Sequence, residues 1–245
     1  MRVGVLETGF APRPLQPRFG SYATMAEGLV GDGLEFEVFD IQRGALPARP
    51  DACDAYVITG SSAGAYDPLP WIAPLEGFLR AARGKAALIG LCFGHQVMAQ
   101  AFGGRVEKSP KGWGVGLHAY DVVAREPWMG EGVRLALPVF HQDQVVEPPP
   151  GAAVLAGSAF TPFGLLSYGA DRAISFQQHP EFSLEFTAAL VRDRSEGALP
   201  RQVSATALES LGGPDDLAEA RIGVRRFLHM IGRAGAQDGA ATQES

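Results

Sequence analysis

Short apolar runs alternate with longer stretches in which apolar residues recur every three or four positions. The chain opens with such a run, Val3 to Leu6, followed by a helical pattern over Tyr22 to Val30 that Gly31-Asp32-Gly33 stops, and then by a second run, Phe36 to Phe39. This is a β-α-β start. A third run, Ala55 to Thr59, leads into the loop GSSAGAYD, after which Trp71 to Ala82 puts Ile72, Leu75, Phe78 and Leu79 on one side of an amphipathic helix. Ala86 to Leu91 predicts a fourth strand. Apolar strands separated by helices long enough for crossovers predict a mostly parallel sheet covered on both faces.

After Gly103-Gly104 the texture changes. Shorter alternating pieces, His118 to Val123, Val133 to Phe140, Val154 to Ala159 and Leu165 to Tyr168, predict antiparallel strands, and Ala173 to Phe176 returns to the core pattern. Leu184 to Arg192 predicts a closing helix. A polar, Gly/Pro-containing stretch then leads to a further helical pattern, Leu217 to Ile231. The expected organisation is one α/β domain over 1–195, a helical extension over 196–235 packed on it, and a disordered tail over 236–245.

Composition narrows the function. The 245 residues are 46% hydrophobic and 20% charged, enough to bury a full core, and the net charge of -6 argues against a nucleic-acid partner. Met1-Arg2 runs directly into the first strand without the flanks of a signal peptide, and no apolar run approaches the roughly 20 residues of a membrane helix. A cytoplasmic protein without a membrane partner is expected. Two cysteines, Cys53 and Cys92, are not a disulfide framework, and no spaced Cys/His quartet suggests a metal.

The chemistry gathers at two strand ends. In GLCFGHQ, Cys92 follows the fourth strand between Gly90 and Gly94, the composition of a sharp strand-to-helix turn that holds a nucleophile out. The helix that follows would aim its N-terminal amides at the sulfur, where they stabilise negative charge. A buried structural cysteine is the competing reading. A thiolate needs a base, and His179 follows another apolar strand, with Pro180 fixing the backbone and Glu181 placed at i+2 to orient the imidazole. Cys53 precedes a strand with no local activator and reads as structural.

Four segments, GLCFGHQ, the upstream ITGSSAGAYD, the middle FHQDQV and the late FQQHPE, resemble the motifs of the class I glutamine amidotransferase family, in the same order and over residues 1 to about 195. The resemblance implies a flavodoxin-like α/β domain that needs no cofactor and cleaves a γ-glutamyl amide through a thioester. It makes Cys92 the nucleophile, His179 the base and acid, and Glu181 the orienter, with the main-chain N–H groups of Gly60 and Phe93 as oxyanion hole. Ser62, Gln96, Phe140, Gln142 and Asp143 become substrate-binding residues, Asp143 facing the α-amino group. Asp143 could equally cap a turn. Tyr66 and Asp67 are expected on the leaving-group side, and His95 is left to brace neighbouring loops.

Two departures from the family pattern stand out: Gly60-Ser61-Ser62 replaces an all-glycine loop, and Gln178 replaces an aromatic before the histidine. They resemble a branch whose members act alone, including γ-glutamyl peptidases. The chain carries no ATP-binding synthetase domain, so any acceptor of ammonia would be a separate protein. A glutamine-hydrolysing enzyme, a stand-alone γ-glutamyl peptidase and a non-catalytic binding or regulatory module therefore all remain open.

Overall fold

The computed structural model describes residues 1–241. Its strands are β1 (Arg2–Glu7), β2 (Glu35–Asp40), β3 (Ala55–Ile58), β4 (Ala87–Leu91), β5 (Arg105–Lys108), β6 (Gly114–Val122), β7 (Arg134–His141), β8 (Asp143–Glu147), β9 (Ala153–Gly157), β10 (Leu165–Ser167) and β11 (Ala173–Phe176). Its α-helices are α1 (Gln16–Phe19), α2 (Tyr22–Val30), α3 (Ile72–Ala82), α4 (Phe93–Ala101), α5 (Leu184–Ser195), α6 (Arg201–Ser210) and α7 (Leu217–Ala241). Nine strands form one sheet in the order β2-β1-β3-β4-β11-β10-β9-β6-β7, and β5 pairs with β8 in a small second sheet. From β2 to β11 neighbouring strands are parallel; from β11 to β7 they are antiparallel. This is the mostly parallel sheet that the alternating pattern predicts, and the flavodoxin-like α/β fold that the family resemblance implies.

Both faces of the parallel part are covered, which is why its inner strands β1, β3, β4 and β11 are buried at successive positions, whereas the edge strand β2 is fully buried at none. In β3, Tyr56 and Ile58 join a core with Ile72, Leu75 and Leu79 of α3 and Val97 and Met98 of α4, whereas Ala55 and Val57 join the opposite core with Ala23, Ala26 and Leu29 of α2 and Val224 and Leu228 of α7. The period of two along the strand distributes side chains to the two faces. Helix starts follow local chemistry. Ser21 caps α2 by accepting the Thr24 N–H at 3.1 Å, and Ser183 caps α5 by accepting the Phe186 N–H at 3.0 Å.

The polar stretch before Leu217 contains α6, which packs against β6 and α5, and the Leu117 N–H donates to Ser210 Oγ at 2.9 Å. The helix α7 enters the segment 236–245 expected as a tail, of which residues 242–245 lie outside the described ones. No described helix is long and apolar enough to cross a membrane. The adjacent strands β3, β4 and β11 deliver Gly60, Cys92 and His179 to one edge of the sheet, at their carboxyl ends, where open α/β sheets bind ligands.

Candidate active site

Cys92 lies between β4 and α4 with φ 51° and ψ −98°. Among the described residues only Arg172 shares a positive φ without being glycine. Such a backbone costs on the order of 1–3 kcal/mol and has to be held by its surroundings. The neighbouring glycines permit the bend. A Cβ on Gly90 would sit 2.7 Å from the Gly94 carbonyl and from Met98 Sδ, and one on Gly94 would overlap the Ile58 carbonyl oxygen. The Cys92 N–H donates to Phe176 O at 2.8 Å, locking the elbow to β11. The residue is 5% exposed, with Gln177 Nε2 at 3.6 Å and Phe140 O at 3.9 Å from Sγ.

His179 leaves the end of β11 and is held by its N–H donating to Pro138 O at 2.8 Å. Its Nδ1 meets Glu181 Oε1 at 2.6 Å, and its ring stacks on Phe182 with centroids 4.0 Å apart and planes 5° from parallel. Burial alone would lower its pKa, but the charges of Glu181 and Cys92 outweigh burial and raise it above the ordinary value of 6.5. The imidazolium form is therefore favoured between the Glu181 carboxylate and the Cys92 sulfur. A Cβ on Gly60 would stand 3.2 Å from His179 Cε1 and 3.9 Å from Cys92 Cβ, so three strand ends meet at one point.

A cavity of about 420 Å³ opens over this point, lined by Gly60, Ser62, Cys92, Gln96, Phe140, Gln142, Asp143 and His179 among others. Glu181 stands behind His179, and Phe93 turns its ring into the core against Trp71, 5.4 Å between centroids. The N–H groups of Gly60 and Phe93 donate to no other described residue. Threonines fix the loop that carries Gly60: Thr8 Oγ1 donates to Thr59 O at 2.8 Å, and the Thr8 N–H donates to Thr59 Oγ1 at 3.0 Å. Gln96 braces the wall, its Nε2 donating to Asp143 O at 2.8 Å and to Gln177 Oε1 at 3.1 Å.

Tyr66 and Asp67 also line the cavity, and each is tied by a hydrogen bond that the sequence does not announce. Tyr66 and Asp143, expected at opposite ends of a substrate, touch: Tyr66 Oη donates to Asp143 Oδ1 at 3.1 Å. Burial raises the Asp143 carboxyl, although the Tyr66 bond and the Lys108 charge pull it down, and Tyr66 is pushed up to about 12 by burial and by that carboxylate. Asp67 is tied into its own turn, accepting the Gly64 N–H at 2.8 Å. The loop folds back on itself, a closure that spacing along the chain does not reveal.

His95 is fully buried. Its Nδ1 lies 2.8 Å from Ser175 Oγ, burial drops its pKa to about 3, and it braces α4 on β11 as a neutral ring. Cys53 is buried apart from the cavity, its N–H donating to Tyr56 Oη at 3.1 Å, and burial raises its thiol.

Sequence reasoning missed Tyr22, Lys108, Trp113, Leu190, Arg194 and Ala198, which complete the cavity wall. Tyr22 reads in sequence only as the first residue of a helix. In the structure it packs on Phe182, with centroids 5.6 Å apart, and its phenol is pushed up by burial and by the charges of Cys92 and Glu181. Lys108 sits opposite Asp143 in the β5–β8 ladder, a pairing of two short, polar strands with no apolar run to announce it.

The family model described as glutamine amidotransferase class-I matches residues 26–194. A Schizosaccharomyces pombe protein named glutamine amidotransferase-like is 29% identical over 228 residues, covering 86% of this chain and 91% of its own. Gamma-glutamyl peptidase 4 of Arabidopsis thaliana is 31% identical over 175 residues, covering 67% of this chain and 69% of its own. The crystal structure of a glutamine amidotransferase from Thermotoga maritima superposes with a TM-score of 0.76 at 17% identity, over 94% of this chain and 97% of that one.

Proposed function

The chain belongs to the class I glutamine amidotransferase family, and from that premise we propose that it hydrolyses the γ-amide of glutamine through a γ-glutamyl thioester on Cys92. The observation that carries this reading is the buried line Cys92, His179, Glu181, closed by the 2.6 Å contact between His179 Nδ1 and Glu181 Oε1. The Cys92 thiolate attacks the γ-carbonyl carbon, and the carbonyl oxygen takes negative charge between the N–H groups of Gly60 and Phe93. Each such donor is worth about 3 kcal/mol in acyl transfer. Collapse breaks the C–N bond as His179 gives its proton to the leaving nitrogen, releasing ammonia. Water then attacks the thioester, His179 takes its proton, and glutamate leaves with the thiolate restored. The ammonia is free to diffuse or to pass to a separate acceptor protein.

A glutamine-mimicking diazo-ketone tests this assignment: it should label Cys92 alone, and Cys92→Ser should lose both labelling and ammonia release while keeping its melting temperature. Labelling mainly at Cys53, or full activity in Cys92→Ser, overturns it. A non-catalytic module has the complete constellation against it and would be left standing only by such a result.

The size of the cavity favours a second reading, in which the amide is a γ-glutamyl peptide bond. At about 420 Å³, with Trp113, Leu190 and Arg194 on walls that also hold Gly60 and Cys92, it offers an apolar surface and a cation to a leaving group larger than ammonia. The γ-glutamyl peptidase relative supports the same reading. Relative rates on glutamine, γ-glutamyl dipeptides and glutathione conjugates decide between the two.

A further inference from the structure

Beyond residues 26–194, which the family model matches, one arginine of α7 is tied to the turn that carries the candidate base. Arg221 is half-buried, its Nε donates to Pro180 O at 3.0 Å, its Nη2 donates to Phe182 O at 3.2 Å, and Nη2 also approaches Glu181 O at 3.5 Å. The three carbonyls belong to the three residues that follow His179. We propose that Arg221 is a positioning residue for the His179–Glu181 pair, so that the C-terminal helix is part of the apparatus that orients the base. The inference rests on the reading of His179 as base given above.

The turn itself explains why it needs an external clamp. Pro180 has no N–H to donate, and the turn's own bond, the Phe182 N–H to His179 O, is 3.3 Å long. Buried carbonyls left without a partner would cost free energy. Both groups that fix the imidazole hang from the peptide units Arg221 holds: Glu181 on Nδ1 and Phe182 stacked on the ring face. A planar guanidinium suits several carbonyls in one turn, where the compact ammonium of lysine does not.

Docking of α7 does not depend on this contact. Ala220, Val224, Phe227 and Leu228 are buried with Trp128 and Phe176, Asp216 pairs with Ala136 of β7 through bonds of 2.7 and 2.9 Å, and Arg225 donates to the Gly28 and Leu29 carbonyls of α2 at 2.9 and 3.2 Å. Arg225 therefore provides the control, an arginine that anchors the same helix away from the cavity.

The experiment compares Arg221→Ala, Arg221→Lys and Arg225→Ala by kcat and KM for γ-glutamyl hydrolysis, by melting temperature, and by the pH dependence of Cys92 alkylation with iodoacetamide, the adduct located by mass spectrometry. Arg221→Ala should lose about 10- to 100-fold in kcat with KM within about twofold, since small displacements of a catalytic group have effects of that size. Its alkylation profile should shift along the pH axis, millimolar guanidinium should restore part of the rate, and Arg221→Lys should behave like Arg221→Ala. Arg225→Ala should melt earlier with kcat and profile unchanged. Equal kcat and profile in wild type and Arg221→Lys, or equal losses in Arg225→Ala and Arg221→Ala, overturn the proposal. If wild type hydrolyses no γ-glutamyl substrate, the functional reading fails, while the alkylation profiles still report whether Arg221 orients the pair.

Discussion

The parallel and antiparallel parts of the sheet do different work. In β1, β3 and β4 nearly every side chain is buried, because helices cover both faces, and the candidate nucleophile, base and oxyanion donors stand at the carboxyl ends of β3, β4 and β11. In β6 and β7 burial is patchier, and although the Phe140 carbonyl lies 3.9 Å from the sulfur, the side chains from this part and its flanking helices, Trp113, Phe140, Gln142, Leu190 and Arg194, make walls. Reaction chemistry needs a rigid, dry origin, which the doubly covered strands supply. Leaving-group selection needs an adaptable rim. Perturbing the first part should change how fast an amide is cleaved, and perturbing the second should change which amide is chosen.

The largest effect that sharpens this contrast is at Glu181. Glu181→Gln keeps the shape of the 2.6 Å contact but removes the charge that raises His179, so kcat should fall about 10- to 1,000-fold while KM moves little. Stability gives a second readout with a definite sign. Because the folded pKa of His179 lies above its unfolded value, the pair's contribution is fully present below about pH 6.5 and is lost as pH rises through the raised value. The melting-temperature gap between wild type and Glu181→Gln should therefore be wide near pH 6.5 and narrow in alkaline buffer. A gap that widens with pH would mean that His179 is held neutral by some other contact.

The same contrast governs what could be read from sequence. The parallel half was legible because each apolar run is bounded by glycine or a helix start: Tyr22 to Val30 lies where its pattern predicts, and the Gly90, Cys92, Gly94 spacing locates the elbow before any coordinate does. The paired β5 and β8, and α6 over 201–210, were missed because they hold few apolar residues and are stabilised by partners distant in the chain, as Ser210 is by Leu117. Wall residues such as Tyr22 and Arg194 carry no local signature at all. Tyr66 is instructive in a different way, since its place at the end of the GSSAGAYD loop suggests the leaving-group side, yet its hydroxyl closes onto Asp143, 77 positions away.

Asp143 should come next in size. If its half-buried carboxylate meets the α-amino group common to all γ-glutamyl compounds, with Lys108 opposite it in the ladder, Asp143→Ala removes a charge-assisted contact worth roughly 1.5–3 kcal/mol. KM for glutamine and for a γ-glutamyl dipeptide should then rise about 10- to 100-fold together, with kcat less affected. A rise for one substrate only would move Asp143 from the shared end of the substrate to the variable one.

The smallest effect separates Tyr66 from Arg194. Tyr66 lines the cavity and donates to Asp143, so Tyr66→Phe keeps the ring in the wall and removes that bond alone, worth roughly 0.5–1.5 kcal/mol net. Its KM should increase by about two- to tenfold for both substrates, leaving their ratio unchanged. Arg194 lines the same cavity with its side chain 45% exposed and its Nε 3.5 Å from Asp193, a weakly tethered cation that a leaving-group carboxylate could meet. Arg194→Ala should leave glutamine kinetics as they are and lower kcat/KM for a γ-glutamyl dipeptide by a few-fold, an effect that weakens as salt is added. Matched measurements on the two substrates decide the matter: a ratio that shifts in Tyr66→Phe and holds in Arg194→Ala would reverse the assignment and place leaving-group selection on the loop that follows β3, within the parallel half.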